Sequence, residues 1–411
     1  MTDFSTQAAQ AESRMRELFP ETPLQRNDHL SSVYGADIWL KREDLSPVRS
    51  YKLRGAYNAM GKQADKDVFV CASAGNHAQG VAYVCRHMKK HGVIFMPVTT
   101  PQQKIQKTKM FGGDWVKVRL VGDYFDDTLR ASQAYCEEVG GHFLSPFDDL
   151  DVMEGQATVT HEILAQLGKK PDVMVVPVGG GGLSSSARKL LAERSPQTEL
   201  FFVEPAGGAS LAAAVSSGGP TTVNDIDTFV DGAAVARIGE HTFAALHGID
   251  GDHVIAIDED RLCTTIIEML NVEGVVLEPA GALSIDALKD IREQIAGKTV
   301  VCVSSGGNFD FERLPEVKER AQRYSGVKKY FILRLPQRPG ALKDFLGLLG
   351  PDDDISRFEY LKKSARNFGT VLLGIETSDA RNFTSLSQRL EENGMSIRDI
   401  TDDRAMVDLI I

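Results

Sequence analysis

The order of apolar segments predicts an α/β protein built on parallel sheets, with a small α+β unit at the C-terminus. Three observations carry this. From about residue 37 to residue 304, short apolar runs alternate with helical patterns, the rhythm of parallel strands joined by crossover helices and covered on both faces. Glycine-rich loops at residues 73–77 (SAGNH), 179–182 (GGGG) and 304–308 (SSGGN) each follow such a run. Near residue 326 the pattern becomes strand, helix, two strands, helix and strand within about 85 residues, the order of a ferredoxin-like unit.

Along the chain, an amphipathic helix opens the first fifty residues, and IWLK reads as a strand between turn formers. The polar, proline-containing LKREDLSPVR then runs into the helical LRGAYNAMGKQ, which places Lys52 at the mouth of a helix. DVFVCAS is a strand that ends at SAGNH, and GVAYVCRHMKK continues as an apolar-faced helix. HGVIFMPV is the next strand, with Thr100 as N-cap and Pro101 in the first turn of the following helix. WVKVRLVG, DVMVVPV, ELFFVEP and KTVVCVSS complete the strands of the body, with helices between them. The polar ERLPEVKERAQRYSG reads as a connection. Beyond it come KYFILRLP (strand), RPGALKDFLGLLG (helix), DISRFEYLKK and NFGTVLLGIET (paired strands), ARNFTSLSQRLEENG (helix) and MSIRDI (strand). The expected division is a body over 1–325, with a smaller subdomain over roughly 66–146 inserted, and a C-terminal domain over 326–411.

Composition narrows the function. The chain has 411 residues and a formal net charge of -11, which argues against a nucleic-acid partner. Its opening twenty residues lack the layout of a signal peptide, and no apolar run approaches bilayer length. Five scattered cysteines without a CxxC read as free thiols in a reducing cytosol. His161-Glu162 has no second histidine at helical spacing, so no metal signature is present. A soluble cytoplasmic protein is expected.

Ligands of parallel α/β folds gather at the carboxyl ends of strands, where the three loops fall. Gly179, Gly180, Gly181 and Gly182, followed by Leu183, lie between a strand and a helix. Their unhindered amides suit a phosphate, although four glycines also make an ordinary flexible loop. No Gly-Lys-Ser/Thr follows, and Ser184 stands at the last position of a GxGxxG pattern. SAGNH offers amides plus the Asn76 side chain, which suits a carboxylate or a phenolic oxygen; Asn-His is also a common cap. His77, His87 and His91 read as cap and surface residues. SSGGN alone is a common turn, and Ser186 with Lys189 reads as packing. A lysine at a helix start is ordinarily solvated; partly buried, its neutral amine forms Schiff bases.

Taken together, SYKLRGA (residues 50–56), SAGNHAQG, GGGGL, LEPAGA and SSGGN, in this order and spacing, resemble the pyridoxal-phosphate enzymes of the tryptophan-synthase-β type (fold type II), and more narrowly the serine/threonine dehydratases. The motifs span residues 41–310. The C-terminal unit, with LPQRPGAL, is similar to the ACT-like regulatory domain of biosynthetic threonine deaminases, in one copy where longer members carry two.

The resemblance implies that Lys52 holds pyridoxal 5'-phosphate and later moves the substrate's Cα proton. Tyr51 would stack on the cofactor, Asn76 would bond its 3-hydroxyl, residues 179–183 would hold its phosphate, and Ser305 would face its pyridine nitrogen. A hydroxyl at Ser305 leaves that nitrogen largely unprotonated, which favours prompt loss of a β-leaving group over transamination. Ser73, Gly75, Asn76 and His77 would form the substrate-carboxylate loop. The implied reaction converts L-threonine, and L-serine, to 2-oxobutanoate, or pyruvate, and ammonia. Ala74 stands where the racemases of the family carry a second serine, which points to elimination without racemisation. The same resemblance implies isoleucine, and valine as an opposing signal, as effectors at the C-terminal domain, and a homotetramer. Two other readings exist: a nucleotide-dependent oxidoreductase using GGGG, which lacks the acidic residue after a complete fingerprint, and an amino-acid sensor built on an inactive enzyme, which retention of Lys52 with all its loops opposes.

Overall fold

The computed structural model describes residues 3–361, 367–403 and 406. The chain divides into two compact units, Met1–Phe309 and Asp310–Ile411.

In the first unit, β1 (Leu24–Arg26) and β2 (Asp37–Arg42) start a sheet that the chain then leaves. β3 (Val68–Ala72), β4 (His91–Met96), β5 (Val116–Leu120) and β6 (His142–Phe143) form a separate four-stranded parallel sheet in the order β5-β4-β3-β6. The chain returns through the long helix Leu150–Leu167 to β7 (Val173–Pro177), β8 (Glu199–Pro205), β9 (Val254–Ile257) and β10 (Thr299–Ser304). These complete a six-stranded sheet, β1-β2-β10-β7-β8-β9, parallel except where β1 runs against β2. Every residue of β7 and β10 is buried, as unbroken apolar runs such as VMVVP require when helices cover both faces. Met174, Val176, Val301 and Val303 pack there against Val159, Ile163, Leu183 and Ala187.

The second unit contains β11 (Lys328–Pro336), β12 (Asp354–Leu361), β13 (Phe368–Glu376) and β14 (Ser396–Asp399) in an antiparallel sheet ordered β12-β13-β11-β14. Helices Ala341–Leu346 and Asn382–Glu392 complete the ferredoxin-like order. Phe331, Leu333, Phe345, Leu373, Phe383 and Leu386 form its core.

Some local expectations shift. Residues 312–326, read as a connection, contain the helix Leu314–Tyr324 of the second unit, with proline in its first turn and Val317 and Ala321 buried. Pro101, not Thr100, takes the N-cap before Gln102–Gly112. The helix expected over 338–350 contracts to Ala341–Leu346, because Gly340 enters it at φ 85° and Gly347 ends it. The strands β1, β6 and β9, of three, two and four residues, are too short to leave a periodic signal.

Candidate active site

Lys52 is the first residue of the helix Lys52–Lys62, and the loop after β10 sets where that helix begins. The Tyr51 amide donates to the Ser305 carbonyl at 3.2 Å, and Ser50 forms an isolated bridge with Gly306. The Lys52 ammonium donates to the Pro146 carbonyl at 2.7 Å. It lies 5.4 Å from the Tyr51 ring centroid and 5.9 Å from that of Phe147. Burial pushes its pKa down to about 8, and Glu278 is the one charge that opposes the shift. The neutral form, which a Schiff base needs, is therefore far more accessible near physiological pH than for an ordinary lysine, although the ammonium still predominates there.

The loop after β3 faces the same space. Asn76 begins the helix Asn76–Met88, whose N-cap Gly75 has no side chain to occupy the first amides. The Asn76 amide nitrogen donates to Glu278 Oε1 at 2.6 Å, and its oxygen accepts from Asn308 Nδ2 at 2.6 Å. Ser73 Oγ accepts from the Gly75 amide at 3.2 Å. His77 is not the cap or surface residue the sequence suggested. It is buried, its Nε2 donates to the Leu144 carbonyl at 3.1 Å, and burial next to Lys52 pushes its pKa down to about 3. Its imidazole is neutral and its one ring proton is engaged, so only its backbone amide is free to donate to a substrate carboxylate. His87 and His91 are exposed, as expected.

The glycine loop enters the helix Gly182–Arg194 from Gly181, at φ 92° and again without a side-chain cap. Phe147 lies flat on it: a Cβ at Gly180 would come within 2.3 Å of the Phe147 ring, and one at Gly182 within 3.1 Å of its Cβ. Thr242 Oγ1 donates to the Gly180 carbonyl at 2.8 Å. Bare amides at the start of a 13-residue helix, in a loop with no room for side chains, fit a phosphate group. Ser305 is buried, and its hydroxyl donates to the Ala280 carbonyl at 3.2 Å. An amine of lowered pKa, a cradle of bare amides, an amide donor at Asn76 and a hydroxyl in place of a carboxylate together suit pyridoxal phosphate.

Lys52, Tyr51, Asn76 and Ser305 are thus brought together, with the 179–183 loop joined to them through Phe147. Four participants were not singled out beforehand. Glu278 lay in the quoted LEPAGA, Asn308 in SSGGN, and Pro146-Phe147 in a stretch without periodicity. A carboxylate directly before a proline-led helix was the one available signal, and it reads equally as an N-cap. Glu278 does occupy that position, yet its side chain makes no cap bond.

Residues 16–306 match the family described as pyridoxal-phosphate dependent enzyme, and residues 319–410 match the C-terminal regulatory domain of threonine dehydratase. The chain is 46% identical over 406 residues to the L-threonine dehydratase biosynthetic IlvA of Bacillus subtilis (strain 168), covering 98% of this chain and 96% of that protein. Threonine deaminase isoform 2 of Solanum lycopersicum, in its processed form, superposes with a TM-score of 0.71 at 36% identity, covering 77% of this chain and 93% of that one. A second solved threonine deaminase, from T.th., gives 0.70 at 29% identity, covering 74% and 98%. With both family models matched in series and a relative this similar along nearly its whole length, the chain belongs to the pyridoxal-phosphate-dependent threonine dehydratases that carry a C-terminal regulatory domain.

Proposed function

We propose that this chain converts L-threonine to 2-oxobutanoate and ammonia, and L-serine to pyruvate and ammonia, as the first step of isoleucine biosynthesis. The observation that carries the reading is a half-buried lysine, its pKa lowered by burial, where three glycine-rich loops meet. Pyridoxal phosphate, when bound, supplies the electron-withdrawing system that stabilises negative charge at the substrate's Cα. Lys52 anchors it and then, as a free amine, takes the Cα proton. The Tyr51 ring would pack beside it, Asn76 would donate to its 3-hydroxyl, the amides of residues 179–183 would hold its phosphate, and Ser305 would meet its ring nitrogen. Amides of Ser73, Gly75, Asn76 and His77 orient the substrate carboxylate. The β-hydroxyl would leave as water on taking up one proton, balancing the one removed from Cα, and the released enamine would hydrolyse to the oxoacid and ammonia. Ala74 leaves the opposite face of the substrate without a hydroxyl acid, which suits elimination over racemisation.

In this reading residues 1–325 catalyse, with 66–146 as their inserted part, and residues 326–411 bind isoleucine, with valine as the opposing effector. A cavity of about 480 Å³ in the C-terminal unit supports a small ligand there. Leu335, Ala341, Leu346, Phe358 and Tyr360 wall it, and Arg338 and Lys343 supply positive charge. One such domain per chain suits an effector site shared between two chains of a cytoplasmic tetramer. Control by an effector requires that it bind two states of the enzyme with different affinity. The test is 2-oxobutanoate formation from L-threonine by the full chain, with and without isoleucine. Formation suppressed by isoleucine supports both parts. Formation indifferent to isoleucine removes the regulatory part, and no formation by the cofactor-loaded chain removes the catalytic one.

A further inference from the structure

Glu278 is 5% exposed, and no described cation touches its carboxylate. Lys52, Lys104 and Lys107 act on it or are acted on by it only through space, as do Asp231 and Tyr51. Its Oε1 accepts from Asn76 Nδ2 at 2.6 Å and presses so closely on Gly306 that a Cβ there would lie 2.0 Å away. A buried carboxylate given one amide partner has a use other than stability.

The hydrogen bonds around Asn76 run in one direction. Lys107 can only donate, and it donates to Asn308 Oδ1. That turns the Asn308 amide nitrogen toward the Val48 carbonyl, at 2.8 Å, and toward Asn76 Oδ1, at 2.6 Å. The Asn76 nitrogen then faces Glu278, whose Oε1 accepts from it. Lys107 at one end thus sets the sense of the relay, and Glu278 completes it at the other, accepting through a carboxylate or a carboxyl carbonyl oxygen. One Asn76 N–H goes to Glu278, and the second is left for an acceptor in the cleft.

We propose that Glu278 is a positioning residue, whose carboxylate, with Lys107 at the far end of the relay, holds Asn76 so that it offers an N–H and not a carbonyl to the phenolic oxygen of pyridoxal phosphate. This rests on the assignment of Asn76 given above. The test is titration of the purified full-length apoprotein with pyridoxal phosphate, following the absorbance of the lysine-bound form, for Glu278→Ala, Glu278→Gln, Lys107→Met, Asn76→Ala and the Glu278→Ala/Asn76→Ala double variant. Glu278→Ala is expected to weaken cofactor binding about tenfold. Glu278→Gln, whose amide oxygen still accepts, restores most of it. The double variant should bind no more weakly than Asn76→Ala alone, since Glu278 acts through Asn76. Losses that multiply, or a Glu278→Ala variant that binds as wild type does, overturn the proposal. Should Glu278→Ala fail to fold by circular dichroism, Glu278→Gln with Lys107→Met carries the test. Lys107→Met should weaken binding and lose that effect in an Asn76→Ala background; an effect that persists there overturns the relay. A wild-type chain without a lysine-bound band, or an Asn76→Ala variant that binds normally, would instead break the underlying assignment.

Discussion

Lys52 and Arg54 stand two residues apart on one helix, the first half-buried and the second fully buried, and they are treated oppositely. Arg54 is 0% exposed and fully partnered. Its guanidinium donates twice to Glu43, at 2.8 and 2.9 Å, and twice to Glu162, at 2.6 and 2.8 Å, with Thr22 and Thr158 beside them. Lys41 donates to the same Glu162 at 2.6 Å. Against burial, the two carboxylates push the Arg54 pKa up, and Arg54 with Lys41 holds that of Glu162 down to about 2. Lys52 has one carbonyl as acceptor and a carboxylate only at a distance, so burial dominates and its charge weakens. The difference teaches that burial by itself does not decide ionisation. A dense set of matched partners keeps a charge for architecture, while a sparse set releases it for chemistry.

Substitution can break or sharpen this contrast. The largest expected effect is on turnover: Lys52→Ala should lower 2-oxobutanoate production by about a thousandfold or more, while the apoprotein melts no lower than wild type. Near-normal turnover would end the assignment of Lys52. Arg54→Met should do the reverse in urea denaturation. It strands Glu43 and leaves Glu162 to Lys41 and Arg16, and a broken buried pair costs about 3–5 kcal/mol. A variant of wild-type stability would mean that the cluster relaxes or takes in water.

The pH dependence of apoprotein stability separates the two classes further. Glu278 and Glu204 are both pushed up to about 7 by burial. Between about pH 4.5 and 7 the folded chain therefore holds protons there that the unfolded chain has released, and stability falls as pH rises through that window. Glu162 acts oppositely: its contribution is complete above about pH 4.5 and is lost as pH falls toward 2. Glu278→Gln and Glu204→Gln should each flatten the decline toward pH 7 by roughly 1–3 kcal/mol, read from urea midpoints across pH. An unchanged slope would place these carboxyls in contact with solvent. The smallest effect belongs to a third class. Lys104 and Asp231 pair where both are partly exposed, so Lys104→Met should change stability by less than about 1 kcal/mol. A larger loss would mean that the pair is shielded from solvent more than its exposure indicates.

Much of this was legible in the residues themselves. Alternating apolar runs and helices specify the parallel sheets because strands buried on both faces leave no polar positions, as in VMVVP and TVVCVS. Lys52 at a helix mouth, and glycine-rich loops at strand ends, follow from local chain geometry, since only glycine enters a helix at φ 92° as Gly181 does. The ferredoxin-like order at the C-terminus followed from the same periodicities. Partnership across sequence was not legible. Glu278 meets Asn76 and Glu162 meets Arg54 across 202 and 108 positions, and nothing local in LEPAGA or THEIL distinguishes the carboxylate that perturbs a reactive lysine from the one that locks a scaffold. His77 read as a cap or surface residue and is an interior one, because exposure is set by the segment packed over a side chain, here the strand end at Leu144. Local propensity and pattern determine where elements and loops lie. Which buried charges persist is decided by distances to partners and by exclusion of water, and those exist only once the chain has folded.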